Sequence, residues 1–446
     1  MEAMDTMLDG PYDVAVIGGG PGGSTAAALL ARRGYRVVAL EKAHHPRFHI
    51  GESLLPMNLP LFERLGVLDQ VQALGVFKPG ADFEADNESG YNTYAFDRAI
   101  GDSPPHAYQV WRQDFDKMLF EHTARCGAQT REGHEVVGVE QSGPRESRLE
   151  VKVDDGRRYQ LLARYVIDAS GRDALLATRR RLRRKNAKHQ SAAIFGHFRG
   201  ATCRAGADAG NISIYTFAHG WMWMIPLPDG VMSVGAVCRP AYLKQRKGSP
   251  LAFLLETLKL NPALWQRLEH AELIDQEVRV TGNYSYDSTQ MGGPGWVMVG
   301  DAFAFLDPVF SSGVYLAMSG AEQAAEMVDQ ALREPSRERA LLRQLERRQR
   351  KGMARFSFFI ERFNGPVMRQ MFRAPRNTWQ LEQGVISMLA GDLFDTPRVL
   401  WRLKVFKLVY AICALRDARR WWSERRYRRA QAKLQFAEAG SPADRA

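Results

Sequence analysis

The segment YDVAVIGGGPGGSTAAALLARRGYRVVALEK, Tyr12 to Lys42, constrains the fold more than any other part of the chain. Val14–Ile17 is a short apolar, β-branched run. Ser24–Ala31 is rich in helix formers, Gly34 ends that stretch, and Val37–Leu40 resumes as strand. Between the first strand and the helix, Gly18, Gly20 and Gly23 form GxGxxG, with Gly22 beside them. Glycines there let the backbone turn tightly and approach a pyrophosphate, whose charge the amides of the helix N-terminus stabilise. Glu41, 18 residues past Gly23, closes the second strand and suits a hydrogen bond to an adenosine ribose. Strand, glycine turn, helix, strand and acidic terminus together predict a dinucleotide-binding βαβ unit.

Two distant segments repeat the strand-to-glycine-loop grammar. RYVIDASGRDALLA contains a buried strand at Tyr165–Ile167 followed by a turn. GWVMVGDAFAFLDPVFSSGVYLAMSG contains a strand at Trp296–Val299, a loop, and a helix that starts near Gly313. This is the pattern of a doubly wound α/β sheet assembled from separated pieces. The expected architecture is α/β: a discontinuous Rossmann-like cofactor domain (10–78, 102–188 and 276–332), a strand-rich substrate domain (79–101 and 189–275) and a helical, basic C-terminal region (333–446). The 446 residues and 45% hydrophobic content allow cores of that size.

Cys126, Cys203, Cys238 and Cys413 are scattered and form no CxxC, which argues against a disulfide framework or zinc site and suits a reducing compartment. His44, His45 and His49 cluster without a metal-binding frame, so no metal is expected. MEAMDTMLDGPYD shows no secretory pattern, and the charge-free run Leu408–Leu415 is too short to span a bilayer. A cytoplasmic location follows as an expectation. The net charge of +11 is concentrated: Arg179–Lys188 holds seven basic residues in ten, and Arg419–Arg429 six in eleven. Such runs attract acidic partners or simply face solvent. No nucleic-acid signature accompanies either run.

HGWMWMIPLPDG, His219 to Gly230, alternates bulk strictly. A strand there places Trp221, Trp223 and Ile225 on one face and Met222 and Met224 on the other. By spacing alone this is a core strand.

Other motifs carry a resemblance to a known family. VGDAFAFLDP (Val299–Pro308) resembles the Gly-Asp segment of FAD-dependent monooxygenases of the p-hydroxybenzoate hydroxylase fold, and DASG (Asp168–Gly171) their middle fingerprint. That resemblance implies FAD as cofactor, with Asp301 holding the ribityl chain and Arg112 near the flavin phosphates or ribityl. Within this superfamily, WMWMIP matches the WxWxIP motif of flavin-dependent halogenases, with Trp221, Trp223, Ile225 and Pro226 in place. In that family the indoles act as a barrier that stops direct hydroxylation of the substrate.

Lys78 in GVFKPGADFEAD, following HIGESLLP, resembles the halogenase lysine that hydrogen-bonds hypohalous acid or becomes its haloamine. DPVFSSGVYLAMSG resembles the halide loop, with chloride or bromide on the backbone amides of Ser312 and Gly313. Tryptophan halogenases carry Glu-Ser-Thr-Gly there, whereas this chain has Phe310-Ser311-Ser312-Gly313. The missing glutamate makes the chain more similar to halogenases of phenols and pyrroles.

The resemblance thus implies an FADH2-dependent halogenase served by a separate flavin reductase. Flavin C4a-hydroperoxide, formed with O2, and halide would give hypohalous acid, which would pass between the sheets to Lys78. An electron-rich phenolic or pyrrolic aromatic, free or tethered to an acyl or peptidyl carrier protein, would then be halogenated. Three other readings stay open: an FAD-dependent aromatic hydroxylase, an isoprenoid reductase, and a flavoprotein scaffold for an acidic partner. Neither of the first two accounts for WxWxIP together with Lys78.

Overall fold

A computed structural model describes residues 8–88, 90–143, 145–275, 278–416 and 426–427, without the side chains of 8, 185–190 and 283–284. The chain divides into two compact units. The first comprises Met1–Gly75, Val110–Arg184 and Tyr286–Met353. Its sheet is built from strands β1 (Leu8–Ile17), β2 (Val37–Leu40), β3 (Gln129–Arg131), β4 (Arg158–Asp168) and β5 (Trp296–Met298), in the order β5-β4-β1-β2-β3. All four contacts in that path are parallel. Val14, Val16, Val38, Ala39, Val166 and Val297 are wholly buried, as fits parallel strands covered on both faces.

Helices α1 (Pro21–Ala31), α2 (Arg112–Arg125) and α3 (Ser312–Arg333) belong to this unit, and α1 packs against both others. Helix α4 (Glu338–Phe363) begins in the first unit and ends in the second.

Strand register positions the functional loops. Ile17 lies opposite Leu40 and Asp168, and Asp168 lies opposite Met298. Four consecutive strands therefore end on one row. The glycine turn, Glu41, the loop after Asp168 and the Gly300–Asp301 turn all leave the same carboxyl edge, where α/β sheets bind their ligands.

The second unit comprises Val76–Gln109, Lys185–Ser285 and Ala354–Ala446. Its main sheet runs through Arg183–Arg199, Val231–Cys238, Gly220–Leu227, Ile212–Phe217, Gly80–Glu84 and Tyr91–Ala95. Pairing is antiparallel except where Ile212–Phe217 meets Gly80–Glu84. Met222, Met224, Tyr215 and Val234 share one hydrophobic cluster with Phe253, Leu254 and Leu258 from the helix Pro250–Leu258. Helix Pro397–Arg416 turns Val399, Leu403, Phe406, Tyr410 and Ala414 inward, as its helical spacing predicts, and leaves Trp401, Leu408 and Leu415 exposed.

Candidate active site

In the first unit the glycine turn is forced by sterics. Gly18 has φ +102°, and a Cβ there would lie 2.4 Å from the Ala169 carbonyl oxygen. A Cβ on Gly23 would lie 1.9 Å from the Gly18 carbonyl oxygen, so the first turn of α1 can approach β1 only without a side chain. Gly20 is open by contrast: only Arg47 Nη2 comes within 4 Å of such an atom, at 3.7 Å. Gly22 faces the Ala317 carbonyl oxygen of α3.

Glu41 is buried and ties the turn down. Its Oε2 accepts from Gly19 N at 2.7 Å and Arg47 Nη2 at 3.2 Å, and its Oε1 from Ala43 N at 3.0 Å. Arg47 also reaches Asp116 Oδ2 at 3.3 Å. Arg112, buried at the start of α2, donates from Nε and Nη2 to the two oxygens of Asp116 at 2.9 and 3.0 Å, and from Nη1 to Ile50 O at 2.5 Å. A chain of alternating charge, Glu41–Arg47–Asp116–Arg112, therefore runs beside the glycine turn. Arg47 and Asp116 carry no motif of their own and were not legible in the sequence. The open face of Gly20, the free first-turn amides of α1 and the Arg47 guanidinium fit a diphosphate.

Asp168 accepts from Ser170 N at 2.9 Å and Leu176 N at 2.7 Å, so in this structure it fastens the turn after β4. Asp301 follows β5 on the same edge, and its carbonyl accepts from Tyr286 Oη at 2.7 Å. Burial pushes its carboxyl up to about 6, against the opposing pull of Arg172 and Arg112.

The segment expected to hold halide ends in a short turn, Pro308–Phe310, with Ser311 at φ 55°, ψ 24°, in the left-handed region. Helix α3 starts at Ser312 with no capping side chain and no acidic residue in its first turn. Its leading amides therefore lack an intrahelical partner and point positive polarity out of the N-terminus. A Cβ on Gly313 would meet nothing within 4 Å. Asp301, Ser312 and Gly313 line one cavity.

The histidines diverge. His44 Nε2 pairs with Asp154 at 2.5 Å, His45 Nδ1 with Glu132 at 2.6 Å, and His49 Nδ1 donates to Ile50 O at 2.8 Å. In the first basic run, Arg180 lies 4.7 Å from the Trp296 ring centre and Arg183 3.8 Å from that of Tyr286. Both cations cover aromatic faces. The second run lies outside the described residues apart from Arg426 and Tyr427. Among the described residues no helix is long and apolar enough to cross a membrane.

The second unit holds the other predicted residues. Lys78 ends the strand Gly75–Lys78 and is only 1% exposed. Its Nζ lies 5.4 Å from the centre of the Phe96 ring, and burial lowers its ammonium from the ordinary 10.5 to about 7.

WMWMIP lies within the strand Gly220–Leu227, buried on both faces. Trp221 and Trp223 neighbour each other at 5.7 Å between centroids. Trp223 sits opposite Gly235, where a Cβ would come within 2.5 Å of the indole, and donates from Nε1 to Ser233 Oγ at 3.1 Å. Ile225 is buried and Pro226 pairs with Met232. The partner glycine that makes room for the second indole was invisible to a reading along the strand.

This chain is similar to known FAD-binding proteins. Residues 11–357 match the FAD binding domain family model. A tryptophan 2-halogenase of Chondromyces crocatus is 35% identical over 323 residues, 71% of this chain and 60% of that protein. This chain thus spans less than two thirds of that relative. A 1H-pyrrole-2-carbonyl-[peptidyl-carrier protein] chlorinase of Pseudomonas fluorescens is 27% identical, covering 91% of this chain and 95% of its own. Among solved structures, a flavoprotein/dehydrogenase of Cytophaga hutchinsonii superposes with TM-score 0.83 at 26% identity, covering 92% and 100% of the two chains. The myxobacterial chondrochloren halogenase CndH superposes with TM-score 0.75 at 31% identity, covering 89% and 97%. The chain belongs to the flavin-dependent halogenases, a family of FAD-binding enzymes.

Proposed function

We propose that this protein halogenates an electron-rich aromatic, phenolic or pyrrolic, with Lys78 handling the electrophilic halogen. Gly18, Gly20, Gly22, Gly23, Glu41, Arg47, Arg112 and Asp301 would hold FAD in the first unit. Bound and reduced by a separate reductase, FAD supplies, with O2 and chloride or bromide, the oxidising power that makes hypohalous acid. The amides of Ser312 and Gly313 hold the halide, because an uncapped helix N-terminus offers unpartnered donors and positive polarity.

The second unit carries the substrate chemistry. The burial of Lys78 is the observation that carries this reading. A surface lysine is almost wholly protonated at neutral pH, but with an ammonium lowered to about 7 roughly half of the population is free amine. The amine lone pair takes the halogen of hypohalous acid, forming an N–halogen bond and releasing water. The aromatic carbon then takes the halogen, losing its proton and restoring the amine. The Trp221–Trp223 pair fills the strand with rigid bulk and acts as the barrier to direct oxygenation.

Carrier tethering of the substrate is supported by the pyrrolyl relative, whose name specifies a peptidyl-carrier substrate. The tryptophan relative places indoles beside phenols and pyrroles among the compounds to test. Absence of disulfides among the four cysteines agrees with a cytoplasmic setting.

The test supplies purified protein with FAD, a flavin reductase, NADH, O2 and bromide or chloride. Free and carrier-bound phenols, pyrroles and indoles are then scored for halogen isotope patterns. Halide-dependent product supports the reading, and hydroxylated product independent of halide refutes it.

A further inference from the structure

The helix Pro397–Arg416 carries two apolar faces rather than one. Opposite its buried stripe, at about 100° per residue, lies a second set: Trp401, Val405, Leu408, Ile412 and Leu415. Trp401 is 53% exposed, Leu408 61%, Ile412 44% and Leu415 73%, with Val405 half-buried among them. A contiguous exposed strip of this kind marks an interaction face. Its spacing gives the shape of the occupant. The steps from Trp401 to Leu415 run 4-3-4-3, the narrow seam of a helix that packs on another helix. A face that covers a core is broader.

The seam also reads alike in both directions. Leu408 is its middle residue, seven positions from Trp401 and seven from Leu415. Laid antiparallel on a second copy, about a two-fold axis at Leu408, it sets Leu408 on its own counterpart, Trp401 on Leu415 and Val405 on Ile412. The positions beside the axis are Val409 and Ala411, small and uncharged. Arg402, Lys404 and Arg416 lie off the axis, and the helix contains no acidic residue. Trp379, 66% exposed at φ 54°, adds apolar surface at the Trp401 end, where its neighbour Gln380 accepts from Arg402.

We propose that the helix Pro397–Arg416 pairs antiparallel with the same helix of a second copy of this chain, in a two-fold symmetric dimer. The proposal does not depend on the halogenase reading. The seam is about 21 Å long and about 10–12 Å wide. That is less than the roughly 800 Å² that each partner gives a standard interface. The dimer is therefore reversible, dissociating at micromolar concentration. Charges of one sign flank both seams, so added salt strengthens the pairing.

The experiment is sedimentation velocity of the full-length, FAD-loaded protein from about 1 to 200 µM, at low and high NaCl. We expect a monomer–dimer equilibrium that moves toward dimer as salt rises. Leu408→Lys puts two ammonium groups on the axis. It should weaken dimerisation at least about 100-fold, because like charges set together cost several kcal/mol and each 1.4 kcal/mol is tenfold. If Leu408→Lys does not fold, Ile412→Lys decides by the same loss. Orientation is read from Trp401→Glu and Leu415→Lys, which should dimerise better mixed than either does alone.

A protein that stays monomeric up to about 200 µM overturns the pairing, and co-sedimentation of that monomer with phosphatidylserine vesicles would give the face to a lipid surface instead. A dimer that Leu408→Lys leaves within twofold of wild type also overturns it. A mixture no better than its separate variants overturns the antiparallel arrangement.

Discussion

Replacing Lys78 by methionine should make the protein more stable while removing its proposed chemistry. The lysine sits in the second unit with 1% of its surface exposed, and burial lowers its ammonium from 10.5 to about 7. A depression of that size corresponds, at about 1.36 kcal/mol per pH unit, to a burial cost of about 5 kcal/mol for the charged form. Between about pH 7 and 10.5 the unfolded chain holds this proton more often than the folded one, so stability from this group rises with pH across that window. Below pH 7 the folded protein carries the buried charge at full cost. Methionine has nearly the same length and no charge. It forfeits the amine's contacts, including its approach to Phe96 at 5.4 Å, so the net gain is smaller than the whole cost.

We expect Lys78→Met to be more stable than wild type by at least about 2 kcal/mol at pH 6.5, shrinking toward zero at pH 10. The assay is urea unfolding of both proteins by tryptophan fluorescence at pH 6.5, 8 and 9.5, comparing the two at each pH so that other titrations cancel. A variant less stable than wild type at pH 6.5, or a difference that does not change with pH, would refute the reasoning.

Three further outcomes follow from the geometry. Halogen transfer through the neutral amine should rise with pH to a plateau above about 7, read from single-turnover product yields between pH 5.5 and 8.5; a falling profile would assign the ammonium as the working form. Gly235→Ala should destabilise the protein by about 1–3 kcal/mol, because the added carbon would meet Phe195 Cβ at 2.4 Å and the Trp223 ring at 2.5 Å; thermal unfolding measures it, and pairing it with Trp223→Phe should leave part of the loss, since Phe195 stays in the way. Arg47→Met should weaken FAD binding about tenfold in an equilibrium flavin titration, since it removes the cation beside Gly20 and leaves Glu41 and Asp116 less compensated.

Much of the first unit could be read from the chain because its signals are local. Val37–Leu40 is a strand within its expected bounds, and α1 begins three residues before the expected Ser24 because Pro21 opens its first turn. Gly18 and Gly23 announce themselves because one backbone conformation and one close approach exclude every other residue. Strand Trp296–Met298 and the start of α3 at Ser312 fall where their loop chemistry predicts.

What stayed hidden depends on tertiary approach. Arg47 and Asp116 are ordinary charged residues until the fold brings them together with Glu41. Gly235 matters only because cross-strand register sets it against Trp223. Lys78 is an intermediate case. Its neighbours along the chain suggested a role by resemblance, but its burial, on which the proposed chemistry depends, appears only in three dimensions.

The most direct measurement is a paired turnover of wild-type and Lys78→Met protein, each loaded with FAD and supplied with reductase, NADH, O2 and bromide. Product is followed by mass spectrometry and flavin reoxidation by absorbance. The account requires the bromine isotope doublet in wild-type product and its loss in the variant, while the flavin still reoxidises. A doublet of undiminished intensity from Lys78→Met would contradict it.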